Sequence, residues 1–139
     1  MSISRIRTVY WITTGIVCAV VAFSVVNFSL SHPIGPVNYG PEGPFGHLGL
    51  PHWFKLELTT AKILGLIAFL VPGVPFKLKE FAYFGFALTF ASASIAHASS
   101  GDGILFRIDP LIFLGVLAIS YACFHRLRLA REDARARVG

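Results

Sequence analysis

VYWITTGIVCAVVAFSVVNFSL, residues 9–30, runs for 22 positions without a charged side chain. With a rise of about 1.5 Å per residue, such a helix covers a hydrocarbon core of about 30 Å, so the stretch reads as a membrane span. It is longer than the apolar run of about 7–15 residues in a secretory signal. No Ala-x-Ala-like site precedes His32-Pro33, so the span is expected to stay attached. Three more apolar stretches follow, at about 53–71, 81–98 and 104–124. The expected fold is all-α, a polytopic membrane protein forming a four-helix transmembrane bundle in one domain over residues 1–139.

Composition and charge agree with that reading. The chain is 55% hydrophobic and only 14% charged, against about 25% charged in a soluble domain. Its net charge of +5 does not call for nucleic acid, because the basic residues sort by membrane side instead of forming a stripe. Arg5 and Arg7 precede the first span, Lys77 and Lys79 lie between the second and third, and Arg126, Arg128, Arg131, Arg135 and Arg137 follow the fourth. Both termini are therefore expected in the cytoplasm, with the protein in the inner (plasma) membrane. The basic tail 125–139 is expected to attract anionic lipid headgroups. On the other side, residues 31–52 hold five Pro and five Gly, an irregular loop that Phe45, His47, Leu48, Leu50 and Trp53 would fold back over the bundle mouth.

Helix packing in lipid favours small residues. Gly15 and Ala19, Ala61 and Gly65, Gly85 with Thr89 and Ala93, and Gly115 with Ala118 and Ala122 supply one such stripe per span. These stripes are expected at helix contacts, with a homo-oligomer as the other use for one of them. Asp109-Pro110 has the pattern of an N-cap and first-turn proline, which would start the last helix late.

Polar groups inside the spans are the candidates for function, since lipid tolerates them only at a cost. Lys55, Thr59 and Lys62 share one helix face, with Lys55 an interface anchor and Lys62 near the midplane. Glu57 points away from them and needs a partner, with His97, Arg107 and Asn27 as candidates. Thr89 and Ser92 lie near the depth of Lys62, and His97 suits proton exchange with the outer compartment. Lys62, Thr89, Ser92, Glu57 and His97 are thus the candidate ligand-binding set. His32, His47, His52 and His97 share the outer side but match no zinc spacing, so no metal is expected. Cys18 and Cys123 are isolated, and the chain has no Cys-x-x-Cys, haem-attachment, P-loop or dinucleotide motif. No tightly bound cofactor and no catalytic motif follow from these residues.

The block His47-Leu48-Gly49-Leu50-Pro51-His52-Trp53-Phe54, then Ala61-Lys62-Ile63-Leu64-Gly65 and Val71-Pro72-Gly73, resembles the DoxX-like family of membrane proteins. Leu78-Lys79-Glu80-Phe81-Ala82-Tyr83-Phe84-Gly85-Phe86 and Ser94-Ile95-Ala96-His97 continue the likeness. The resemblance implies four membrane helices and carries over no established catalytic residues. Relatives include a subunit of a thiosulfate:quinone oxidoreductase, a subunit of oxidative-stress membrane complexes and animal proteins that assist receptor assembly. Two readings follow. In one, the protein is an accessory subunit of a membrane redox system that holds a quinone-like or other small amphipathic molecule, or a lipid. In the other, it is a non-catalytic scaffold for another membrane protein. An independent enzyme using Glu57 and His97 as acid and base is a third possibility.

Overall fold

The computed structural model describes residues 2–29 and 43–137. Expectations placed on residues 30–42, His32 among them, lie outside the described residues. Within those described, the chain forms α1 (Ile3–Ser29), α2 (Gly43–His47), α3 (His52–Leu70), α4 (Phe76–Ser99) and α5 (Ile104–Ala136), with no strand. The four long helices form a ring in which α1 and α4 each contact both α3 and α5. Three of them, α1, α4 and α5, are long and apolar enough to cross a membrane. The 19-residue α3 differs in carrying Lys55, Glu57 and Lys62.

Apolar side chains cover the outside as well as the inside. Trp11, Phe23, Leu64, Phe84, Ile95 and Leu105 are all exposed, a surface suited to lipid tails and costly in water. The interior is built from Val17 and Val21 of α1, Phe69 of α3, Tyr83, Phe86 and Phe90 of α4, and Leu117 of α5. Phe86 sits so close to α3 that a Cβ on Gly65 would lie 2.5 Å from its Cζ. Glycine at this position lets the aromatic ring seat against the backbone.

A buried hydroxyl chain joins three helices through this core. Thr14 and Ser120 are hydrogen-bonded at 2.7 Å, and Ser120 and Tyr83 at 2.8 Å, so each polar group finds a partner inside the apolar interior. At the end that carries the chain termini, Glu80 meets His125 at 3.2 Å and Arg128 lies 3.7 Å from the Phe76 ring centroid, further tying α4 to α5. Cys18 and Cys123 are buried free thiols.

Two expectations need correction. Of the small-residue stripes, Gly65 is at a close helix contact, but Gly15, Gly85 and Gly115 have open space where a side chain would stand. Gly15 and Gly115 are therefore exposed on outer faces, and Gly85 stands on the wall of a groove between α3 and α4. Nor does the last helix start late at Asp109-Pro110. It starts at Ile104 after Gly103 and carries Pro110 within it. Two contacts hold its first turns: Arg107 Nε donates to the Asp102 carbonyl at 2.7 Å, and the Ser94 hydroxyl donates to the Arg107 carbonyl at 2.6 Å.

Candidate ligand site

Lys62 lies ten residues into α3, about 15 Å from its start, and is 6% exposed. Its ammonium donates to Ser24 Oγ of α1 at 2.8 Å and lies 4.2 Å from the Phe28 ring centroid. It forms no ion pair among the described residues. An ammonium has three donors, and here one meets a neutral hydroxyl and the charge meets a π face. The desolvation cost of a buried cation is only partly offset by such partners. This site therefore favours an added hydrogen-bond acceptor or anion.

A groove of about 520 Å³ opens between α3 and α4 beside this lysine. Ala61, Lys62, Gly65 and Ala68 form its α3 wall, and Phe81, Ala82, Gly85, Phe86 and Thr89 its α4 wall. Val74 and Leu78 also line it, which carries the groove from the level of Lys62 to the α3–α4 turn. The small residues make the channel, and the only polar side chains lining it are Lys62 and Thr89. The Thr89 hydroxyl donates to the Gly85 carbonyl at 2.9 Å, leaving its oxygen lone pairs available as acceptors.

The remaining expected site residues stand elsewhere. Glu57 and Ser92 are exposed and outside the groove lining. Glu57 is five residues before Lys62, about 140° around the helix. Its proposed partners His97 and Arg107 are engaged with Asp102 instead. His97 belongs to a second polar cluster at the α2 end of the molecule. There Asp102 Oδ2 accepts from His97 Nδ1 at 2.6 Å, and Oδ1 accepts from His47 Nε2 at 2.7 Å.

Asp102 is the residue that sequence reasoning missed, and a helix-capping signal could have found it. Gly101, at φ +75°, ends α4 in a left-handed turn. The Asp102 amide then bonds back to the His97 carbonyl at 3.0 Å and the Gly101 amide to the Ala98 carbonyl at 3.3 Å. This Schellman cap needs glycine at its turn position and returns the next residue over the last helical turn. It sets the Asp102 carboxylate against the His97 ring. The two imidazole hydrogen bonds, His97 first, hold the Asp102 carboxyl below the usual carboxylate range.

α2 is bound into this cluster through His47. Its Phe45 is buried and meets Phe28 edge-on, with ring centroids 4.5 Å apart. The face of Phe28 in turn carries the Lys62 ammonium. The two polar clusters are thus joined through a pair of aromatic rings in edge-to-face contact.

No curated protein and no solved structure matches the chain significantly. A model of the DoxX-like family matches residues 12–120, a range that takes in α3, α4, Lys62 and the Asp102 cluster. Together with the long apolar helices, this match makes the chain a small integral membrane protein that belongs to the DoxX-like family.

Proposed function

We propose that this protein is an accessory subunit of a membrane redox system that binds a small amphipathic molecule of quinone-like chemistry. The observation that carries this reading is the buried Lys62, whose ammonium has no carboxylate partner among the described residues and whose side chain lines an apolar groove. A quinone carbonyl or its reduced oxygen would take the place of Ser24 on the ammonium, or share it, and Thr89 would receive a hydroxyl of the reduced head. The tail would lie along Ala68, Phe81 and Leu78. The groove volume of about 520 Å³ falls within the roughly 300–1,000 Å³ of small-molecule sites. A lipid with an anionic head would satisfy the same chemistry.

In this reading α3 is a fourth membrane span, with its charges turned to the ligand site or to the interface. Nine of the 12 Lys and Arg residues belong to the end that carries the chain termini, which supports a cytoplasmic location for that end in an inner or plasma membrane. Electrons would come from a partner protein, in keeping with a sequence that has no Cys-x-x-Cys, haem-attachment or dinucleotide motif. Glu57 and Ser92 are given no ligand contact, and His97 acts at the rim.

A scaffold role is favoured by a different observation, the open small-residue faces at Gly15 and Gly115, where a partner helix could approach closely. Binding separates the two. Titration of decylubiquinone into the purified protein in lipid nanodiscs is expected to saturate, and Lys62→Met to weaken it by about tenfold or more, the scale of a hydrogen bond to a charged group. Equal affinity in both proteins would remove Lys62 from the site and leave the scaffold reading.

A further inference from the structure

The five residues of α2 connect the Asp102 cluster to the Lys62 site. On one side His47 Nε2 is 2.7 Å from Asp102 Oδ1. On the other, Phe45 packs on Phe28, which covers the Lys62 ammonium. α2 itself ends in a second Schellman cap, with Gly49 at φ +68° and the Leu50 amide bonded to the Phe45 carbonyl at 2.9 Å. The segment is therefore a small rigid unit.

We propose that α2 is a lid over the polar end of the Lys62 site, latched shut by the Asp102 carboxylate bridging His47 and His97. The inference rests on the reading of Lys62 as a ligand site and names how access to it is controlled. With the latch closed, Phe45 and Phe28 shield the ammonium from the aqueous phase at that end. With it open, water and small polar solutes reach Lys62, while an apolar tail still enters sideways through the α3–α4 groove. Among the described residues, the bridge is formed by His47 from α2, His97 from α4 and Asp102 from the turn, with Arg107 from α5, whose guanidinium holds the Asp102 carbonyl and leaves both carboxylate oxygens to the histidines. Asp102 is thus a positioning residue, acting on Lys62 through His47, Phe45 and Phe28.

The test reads access directly, with no ligand present, so it can fail while the ligand reading stands, and the reverse. Ser24→Cys places a thiol against Lys62, and the protein in nanodiscs is treated with a water-soluble maleimide. Mass spectrometry then gives the modification rate of the thiol introduced at position 24 beside those of Cys18 and Cys123, buried thiols elsewhere in the core. Adding Asp102→Ala, or separately His47→Ala, is expected to raise labelling at position 24 by about tenfold, the scale of one lost charge-assisted hydrogen bond, with Cys18 and Cys123 unchanged. Unchanged labelling at position 24 in both variants would overturn the lid. A parallel rise at all three thiols would also overturn it, because the bridge would then be holding the whole bundle together.

Discussion

Lys62 is costly where it stands, and this cost is what motivates the proposed ligand site. A buried cation with one hydroxyl partner destabilises the folded state relative to an apolar side chain of the same length. Lys62→Met is therefore expected to raise the melting temperature while weakening ligand binding, a gain in stability at the expense of function. A fall in melting temperature would make Lys62 a structural residue. Asp102 permits a prediction with a definite sign. Its carboxyl is held below the usual range by His97 and His47. The stability it contributes is present above the unfolded carboxyl value of about 3.9 and is lost as pH falls through the lower folded value. Hydrogen exchange at the Gly49 and Leu50 amides, corrected for intrinsic rates, should stay protected from neutral pH down to about 4 and lose protection below it. Loss that began near neutral pH would contradict control by the carboxylate. At this scale the sequence was half legible. Lys62 declared itself because a charge in an apolar run needs no structure to be noticed. Asp102 did not, because its role depends on a turn that brings it back over His97.

At the scale of elements, the helices were legible and their packing faces were not. Apolar runs placed both ends of α3 to within a residue but began six residues into α1 and five into α4, whose first turns carry charge, and a helix that is apolar all round gives no moment to say which side faces a neighbour. The stripes at Gly15, Gly85 and Gly115 proved open, whereas Gly65 lies against Phe86. Gly65→Val should accordingly destabilise the protein by about 1–3 kcal/mol through overpacking, and Gly115→Val should be nearly neutral, as thermal unfolding in detergent would report. The start of α5 was misread for a related reason. Asp-Pro is a good local start signal, but Gly101 ends α4 and the Arg107 and Ser94 contacts settle the following turns earlier. The hydroxyl chain Thr14, Ser120 and Tyr83 was invisible in sequence, since its paired members are 106 and 37 residues apart. Ser120→Ala would remove the hydroxyl that Thr14 and Tyr83 share and is expected to cost about 1 kcal/mol, read by thermal unfolding in detergent.

Among the described residues, three groups of polar side chains differ in kind: a hydroxyl chain that holds α1, α4 and α5 together, a lysine beside an apolar groove, and a carboxylate bridge at the far end. The first is satisfied internally and serves the fold. The second is left wanting an acceptor, and the third is the latch proposed for the element beside it. This division explains why membership of the family and the membrane setting could be read from the sequence while the site could not be completed. Spans follow from composition, but a site depends on which of several apolar faces meet. The central claim is that Lys62 anchors a small molecule. Its most direct test is mass spectrometry of the protein gently extracted from its native membrane, in parallel with Lys62→Met, reading small molecules and proteins in one preparation. A stoichiometric quinone-like molecule or anionic lipid is expected in the natural protein and is expected to be absent from the variant. A stoichiometric protein partner with no small molecule in either preparation would contradict it.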